Sequence, residues 1–290
     1  MIKVLAPGLL TTVQDLGRSG HARWGISAGG AADPLALRVG NRLVGNADYA
    51  GALEMTLLGA TLRFDTGATV ALAGADFGAT LDGAAVPLWR TFEVEPGQVL
   101  ACGITRSGAR GYLCVRGGLD PGSPRRGDVL NVSAQTVGAP RGKVRPCWLQ
   151  RFAPRRVLRV TAGPEAEEFS HRALDVFYSA SYSVREDSNR AGLRLQGPAI
   201  DLPFGGNMLT EGVSLGAVQI PPGGQLIILF VDQQTTGGYP IAASVITADI
   251  SGVAQLRPRD AIRFEMVTME RARELLLELE ASIETEAFEP

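Results

Sequence analysis

The sequence predicts a mainly β protein, and three observations carry that reading. Short apolar or alternating runs recur along most of the chain, among them 60–64, 69–73, 98–102, 111–115, 156–161, 192–195 and 261–267. Runs of four to eight residues are the signal of strands. Glycine and proline punctuate them, with 36 glycines and 17 prolines in 290 residues, so turns are frequent. Helical patterns interrupt this rhythm only three times. Such spacing belongs to barrels or sandwiches and not to a parallel sheet with crossover helices.

In chain order, the first helix opens at Asp33, with Pro34 at the first helical position, and stops near Gly45. A short acid can accept hydrogen bonds from the first turn, and proline is tolerated there because its missing N–H has no intrahelical partner. The apolar segment 52–58 carries one charge, Glu54, which needs a partner if buried. Between 120 and 154 periodicity is lost and Pro, Gly and Arg increase; a fresh strand begins at Arg155. This predicts two β-rich domains, 1–153 and 154–290, with no sequence repeat between them. A second helix opens at Pro164-Glu165 with Phe169, Leu174 and Phe177 as its apolar face. An apolar run 226–231 leads into a polar, glycine-paired turn, 233–240, and then into apolar 241–250. The last helix, about 269 to 283, carries Leu275, Leu276, Leu279 and Ile283 and is expected on the outside of the second half.

Composition removes several chemistries. The formal charge is 28 − 30 = −2, which points to no nucleic acid and no anionic membrane as partner. Lysine occurs only at Lys3 and Lys143, so an anion would be held by arginine or backbone amides. Three unpaired cysteines, Cys102, Cys114 and Cys147, fit a reducing compartment. The start is too soon interrupted by Pro7 for a signal peptide, and no apolar run approaches a membrane span. A cytoplasmic protein is expected. Histidine occurs only at His21 and His171, without Cys-x-x-Cys or His-Glu-x-x-His spacing, so no metal site is expected. Gly-x-Ser-x-Gly and Walker A patterns are absent, as is the Met-Lys-Met of a biotin carrier.

What remains is a set of polar clusters in turns. The first is Gln14-Asp15-Leu16-Gly17-Arg18, in which Asp15 and Arg18 either pair with each other or face a ligand. Asn41, Asn46 and Glu54 surround the first helix. Arg116-Gly117-Gly118 ends a strand, either as an anion fork or in a salt bridge to Asp120. The loop 185–190 ends in Arg190, and Thr210-Glu211-Gly212-Val213 leads towards Gln219. In the 233–240 turn, Gln233, Gln234, Thr235, Thr236 and Tyr239 supply hydrogen-bonding groups, and Gly237 and Gly238 permit close approach. It is either a satisfied hairpin loop or a wall of a polar pocket.

Six motifs in order carry a resemblance: Thr12-Val13-Gln14-Asp15-Leu16-Gly17-Arg18, Asn41-Arg42-Leu43-Val44-Gly45-Asn46, Ala52-Leu53-Glu54, Val115-Arg116-Gly117-Gly118, Glu211-Gly212-Val213 and Gln234-Thr235-Thr236-Gly237-Gly238-Tyr239-Pro240. The chain resembles the biotin-dependent carboxyltransferase A/B-subdomain family, from about residue 4 to 267. That family includes the C subunit of bacterial 5-oxoprolinase, the KipA proteins and a region of urea carboxylase. The resemblance implies two cyclophilin-like β-barrel subdomains with a few peripheral helices. It implies a KipI-like B subunit and a 5-oxoprolinase A subunit as partners, and ATP-dependent opening of 5-oxo-L-proline to L-glutamate, with ATP held here or by a partner. The alternatives are a carboxyltransferase component acting on urea or a related amide, and a non-catalytic KipA-like antagonist of a KipI-type kinase inhibitor.

On the leading reading, Tyr239, Glu54, Arg116 and Glu211 are the expected catalytic residues. Gln14, Asp15, Arg18, Asn41, Arg190, Gln219, Gln234, Thr235, Thr236, Gly237 and Gly238 are expected to bind an amide or lactam substrate. Two departures from the family pattern bear on which substrate is accepted. The segment 119–148 is shortened and carries Pro121-Gly122-Ser123-Pro124-Arg125-Arg126, and Ser188-Asn189-Arg190 stands where an Asp-Arg pair is usual.

Overall fold

The computed structural model describes residues 1–203 and 208–289. They form two compact units that interleave along the chain: Met1–Gly17, Asp33–Ala153 and Ser282–Pro290 in one, Arg18–Ala32 and Pro154–Ala281 in the other. Pro290, the end of the domain expected over 154–290, lies outside the described residues.

The first unit is built on two antiparallel sheets. One has the order 129–130, 2–6, 61–64, 99–101, 80–81 and 84–85; the other has 10–14, 52–56, 107–115, 68–76 and 91–94. Residues from both sheets, including Ile2, Leu62, Phe64, Leu53, Leu72 and Leu113, form one apolar core. Alternation decides the rest, because successive side chains of a strand point to opposite faces. Leu113 and Val115 belong to that core, while Tyr112 and Cys114 take the other face. Helix α1, Pro34–Leu43, packs against the two strands 68–76 and 107–115. Gly40 permits the close approach, since a Cβ there would lie 2.6 Å from Cys114 Sγ and 3.0 Å from Ala73 Cβ. The start of α1 is as expected: the Asp33 carboxylate accepts from Ala36 N at 2.9 Å.

The second unit contains a closed barrel of seven strands in the order 157–162, 241–245, 217–219, 227–229, 192–196, 182–184 and 261–266. Its ladders are antiparallel except where 261–266 meets 157–162 in parallel. Leu158, Val160, Val218, Ile228, Phe230 and Phe264 fill it. Helix α2, His171–Ser179, stacks Phe177 on Phe264, with ring centroids 4.7 Å apart.

Two boundaries differ from expectation. The second helix does not open at Pro164-Glu165: Ala166–Glu168 makes one 3₁₀ turn, and Ser170 caps α2 by accepting from Ala173 N at 3.1 Å. Glu165 is committed elsewhere, its carboxylate accepting from Ile241 N at 2.9 Å. The apolar segment 241–250 is not one strand, because pairing stops at Val245 and helix α3, Ile250–Ala254, follows. The buried Asp249 carboxylate turns the chain there, accepting from Arg159 N and Arg159 Nε at 2.9 and 3.1 Å. The last helix, α4, runs Met269–Thr285.

Candidate functional site

Glu54 lies directly opposite Tyr112 in the ladder between 52–56 and 107–115. Period-2 alternation puts both side chains on the face covered by α1. The Tyr112 hydroxyl donates to Glu54 Oε2 at 2.7 Å and accepts from Asp33 N at 2.8 Å. Burial, and then the charges of Glu54 and Asp33, push the Tyr112 hydroxyl well above the ordinary range of a tyrosine. Glu54 is 1% exposed. The charge that needed a partner has found one in the protein interior, at the N-terminal end of α1, where a helix favours negative charge.

The opposite end of α1 carries the second polar group. Asn41 Nδ2 donates to Ala50 O at 2.7 Å, and Asn46 Nδ2 donates to Asn41 Oδ1 and Val115 O at 3.1 and 2.8 Å. Asn46 Oδ1 accepts from Gly117 N at 2.7 Å. Arg116 is neither the expected anion fork nor a partner of Asp120. Its Nη1 donates to Val44 O at 2.9 Å and its Nη2 to Gly138 O at 3.1 Å, which satisfies a carbonyl at the helix end. Asp120 instead accepts from Ser133 Oγ. Beside this end, Arg42, Asp48, Arg141 and Glu284 line a cleft of about 440 Å³.

At the end of strand 10–14, Gln14 Nε2 donates to Thr12 Oγ1 at 2.9 Å, and Asp15 Oδ1 accepts from Gly17 N at 2.7 Å. Asp15 therefore closes its own turn and does not pair with Arg18. The Arg18 side chain is exposed in the second unit, where its backbone N donates to Ala28 O.

In that unit Arg190 is 9% exposed and forms a two-pronged bond to Asp232, Nε to Oδ2 at 2.8 Å and Nη2 to Oδ1 at 3.2 Å. Nη2 also donates to Gly30 O at 2.7 Å. It fastens the segment 18–32 to the barrel. Arg116, expected as an anion fork, and Arg190, expected to bind substrate, thus both hold the fold together.

The remaining expected residues converge. Glu211 pairs with Gly237, and Gly212 with Thr236, in a small ladder. Val213 N donates to Thr235 O at 3.0 Å. Val213 and Ile227 pack on Ala217, Leu229 and Ile241, which form an apolar cluster separate from the barrel core. The ladder therefore lies over the outer wall of the barrel. Gln219, on strand 217–219, is 1% exposed beneath it. Gln234 Nε2 donates to Gln219 Oε1 at 3.5 Å, and a Cβ on Gly237 would lie 2.5 Å from Gln219 Nε2. Gly238 faces Thr210, with Oγ1 3.5 Å from where its Cβ would be. Tyr239 is 42% exposed, whereas Tyr112 is fully buried. The structure thus gathers Glu211, Gln219, Gln234, Thr235, Thr236, Gly237, Gly238 and Tyr239 around one ladder.

Sequence reasoning missed Tyr112, Asp232 and Glu165 as partners. Tyr112 was within reach: one polar aromatic in an apolar strand, against one acid in another, is the pattern of a buried cross-strand pair. Asp232 and Glu165 had no such signal, because neither lies in a strand and their partnerships are not cross-strand pairs.

Comparison with known proteins gives these arrangements a family. Residues 24–123 and 121–266 match the model of the carboxyltransferase domain, subdomain A and B. The chain is 36% identical to the C subunit of the Haemophilus influenzae 5-oxoprolinase, over 95% of this chain and 94% of that one. It is 36% identical to that of Escherichia coli, over 94% and 93%. It is 30% identical to the urea amidolyase of Saccharomyces cerevisiae over 94% of its own length, which is 17% of that protein. The crystal structure of the K. lactis urea amidolyase superposes with a TM-score of 0.91 at 30% identity, covering 97% of this chain and 20% of that one. Matched along nearly its whole length in sequence and in fold, the chain belongs to the carboxyltransferase subdomain A and B family.

Proposed function

We propose that this protein is the C subunit of an ATP-dependent 5-oxoprolinase, which opens 5-oxo-L-proline to L-glutamate with an A subunit and a KipI-like B subunit. The observation that carries this reading is the end-to-end match to two relatives named for that role, covering 94% and 93% of their lengths. The urea amidolyase it resembles is matched over 17% of its length. We place the protein in the cytoplasm on its three free thiols. No helix among the described residues is long and apolar enough to cross a membrane.

An unstrained lactam resists water, and ATP supplies the driving force by activating the amide oxygen. Because Arg116 and Arg190 are engaged in the fold, we assign the nucleotide to a partner subunit and derive no nucleotide step on this chain. Its own residues bind and orient the substrate. The exposed Tyr239 hydroxyl and the amides and hydroxyls of Gln234, Thr235 and Thr236 supply hydrogen bonds to the ring. Glu211, exposed on the same ladder, handles a proton. Arg18, exposed in the same unit, meets the substrate carboxylate. Glu54, Asn41 and Arg116 become positioning residues that hold α1 and the strand ends.

Co-expression with A and B subunits tests the reading. Glutamate release from 5-oxo-L-proline is expected only with all three chains and ATP, and Tyr239→Phe should lower it about tenfold or more. A second reading, carboxyl transfer to urea or a related amide from a biotinylated partner, draws on the TM-score of 0.91 to a urea amidolyase. Bicarbonate-dependent carboxylation without glutamate release would select it. Tight binding to the B subunit with no turnover would select a non-catalytic, KipA-like role.

A further inference from the structure

The stretch that loses periodicity after residue 120 contains Arg141-Gly142-Lys143-Val144-Arg145, three cations in five positions. Gly142 turns the chain in the left-handed region, at φ 73°, and Lys143 N donates to Arg141 O at 2.9 Å. Glycine takes that conformation at no steric cost. Beyond the turn Val144 is buried and bridges Phe288. Arg145 N donates to Ala287 O at 2.9 Å, and Glu289 N donates to Lys143 O at 3.0 Å. Between these paired segments lies a cleft of about 620 Å³, with Arg141, Arg145, Glu284, Phe288 and Glu289 among its lining residues. It adjoins the cleft of about 440 Å³ at the end of α1, since Arg141 and Glu284 line both.

The carboxylates here are already engaged. Glu284 meets Arg42 Nη2 at 2.7 Å, and Asp48 meets Arg42 Nε and Arg38 Nε at 2.6 and 3.1 Å. Glu289 meets Lys143 Nζ at 2.9 Å. Two cations are left over. Arg141 Cζ lies 5.2 Å from the centre of the Phe288 ring, and its side chain has no acceptor among the described residues. The side chain of the half-buried Arg145 has none either. Over the two clefts and their ion-pair partners, five cations thus stand against three carboxylates. An excess of one sign in a concave site focuses the field and gathers counter-ions. Guanidinium forks match carboxylate and phosphate groups, and a cleft of this size takes a metabolite-sized molecule.

We propose that this cleft binds a small anion, one bearing a carboxylate or a phosphate, through the guanidinium groups of Arg141 and Arg145. The Phe288 ring steadies Arg141 by a cation–π contact. The backbone bonds between 143–145 and 287–289 keep the walls in place. A neutral molecule of the same size lacks the charge that both arginines require. The site belongs to the first unit, whereas the ladder of Glu211 and Tyr239 belongs to the second, and its ligand is additional to the amide substrate.

Titration calorimetry on the purified full chain tests this with glutarate, inorganic phosphate and, as the uncharged analogue, glutaramide. Saturable binding of glutarate, of phosphate or of both is expected, weakening as salt is raised, with glutaramide not bound. Glutarate alone would identify a carboxylate site, and phosphate alone a phosphate site. Arg141→Gln and Arg145→Gln should each lower the affinity about tenfold, the loss of one charge-assisted contact. Arg126→Gln, at an exposed arginine outside the cleft, should leave it unchanged. Melting curves identify a folding defect. Arg141→Lys and Arg145→Lys, which keep the charge and lose the fork, then stand in, with an expected loss of about threefold. No saturable binding of either anion up to about 10 mM overturns the proposal, as does equal binding of glutaramide. So does wild-type affinity in either cleft variant, or an Arg126→Gln loss as large as theirs, which marks general surface charge. No partner subunit and no turnover enter the measurement, so its failure leaves the proposed function standing.

Discussion

The two ends of α1 and the ladder over Gln219 are made of the same materials, amides and glycines next to strands, and differ in how completely their amide side chains are satisfied. At α1, Asn41, Asn46, Arg116 and Tyr112 direct their polar groups to backbone atoms or to a buried acid. Over the barrel wall, Gln219 keeps a buried donor without an acceptor among the described residues, while Tyr239 and Gln234 lie exposed. Closed networks rigidify a fold, and a half-closed one is costly unless something completes it. The contrast teaches that a family's polar motifs divide into those whose groups are consumed by the scaffold and those whose groups are not. Type of residue does not tell them apart.

The strongest way to break this contrast is Asn46→Leu. It would leave Val115 O and Gly117 N without the partner they have now, so a loss of about 3 kcal/mol or more is expected in urea unfolding. Stability within 1 kcal/mol of wild type, by roughly the least that a buried orphan costs, would show the network to be dispensable. Next comes Tyr112→Phe, expected to cost about 2 kcal/mol by leaving Glu54 and Asp33 N short of a partner. Burial, with the Glu54 and Asp33 charges, raises the Tyr112 hydroxyl in the folded state. Its contribution is therefore complete below about pH 10 and lost as pH rises beyond it. The wild type should show this alkaline loss and the phenylalanine variant should lack Tyr112's share of it, read from unfolding midpoints against pH.

Asp48→Asn sharpens the comparison at the acid end. Burial pushes the Asp48 carboxyl up, but Arg42 and Arg38 outweigh it and the net shift is downward. Its contribution is thus present above about pH 4 and lost as pH falls. About 1 kcal/mol is expected at neutral pH, with the two proteins converging in acid. The smallest effect on stability belongs to Gly237→Ala. The new Cβ meets only the far end of the Gln219 side chain and a Val213 methyl, so less than about 1 kcal/mol should be lost. An Ala variant that unfolds while Asn46→Leu stays intact would reverse the assignment of scaffold and site.

Much of the fold was legible because its signals are local. Asp33-Pro34 marks the start of α1, and the glycine-bounded runs fall on observed strands such as Thr61–Phe64 and Gly192–Gln196. Pro164-Glu165 misled because an equally good cap, Ser170, stands a few residues on and Glu165 is drawn to Ile241 N. The segment 241–250 misled because apolar character alone does not tell a strand from a buried helix. Of the expected site residues, those from Glu211 to Tyr239 gather at one ladder, where polar groups and glycines share a turn. Glu54, Asn41, Arg116 and Arg190 carried equally suggestive chemistry, and their partners proved to be internal.

By itself the sequence determined the β class, the cap of α1 and the order of motifs that marks the family, since periodicity, turn residues and capping act over a few positions. Only the tertiary structure decided which polar groups were already satisfied. The partners of Asn46, Glu54 and Asp33 lie 69, 58 and 79 residues away along the chain. Strand register and the packing of α1 bring them within 3 Å. A register slip of one residue would turn Tyr112 from α1 into the core between the sheets. Which amide is left without an internal partner is therefore a property of the assembled sheets and not of any motif.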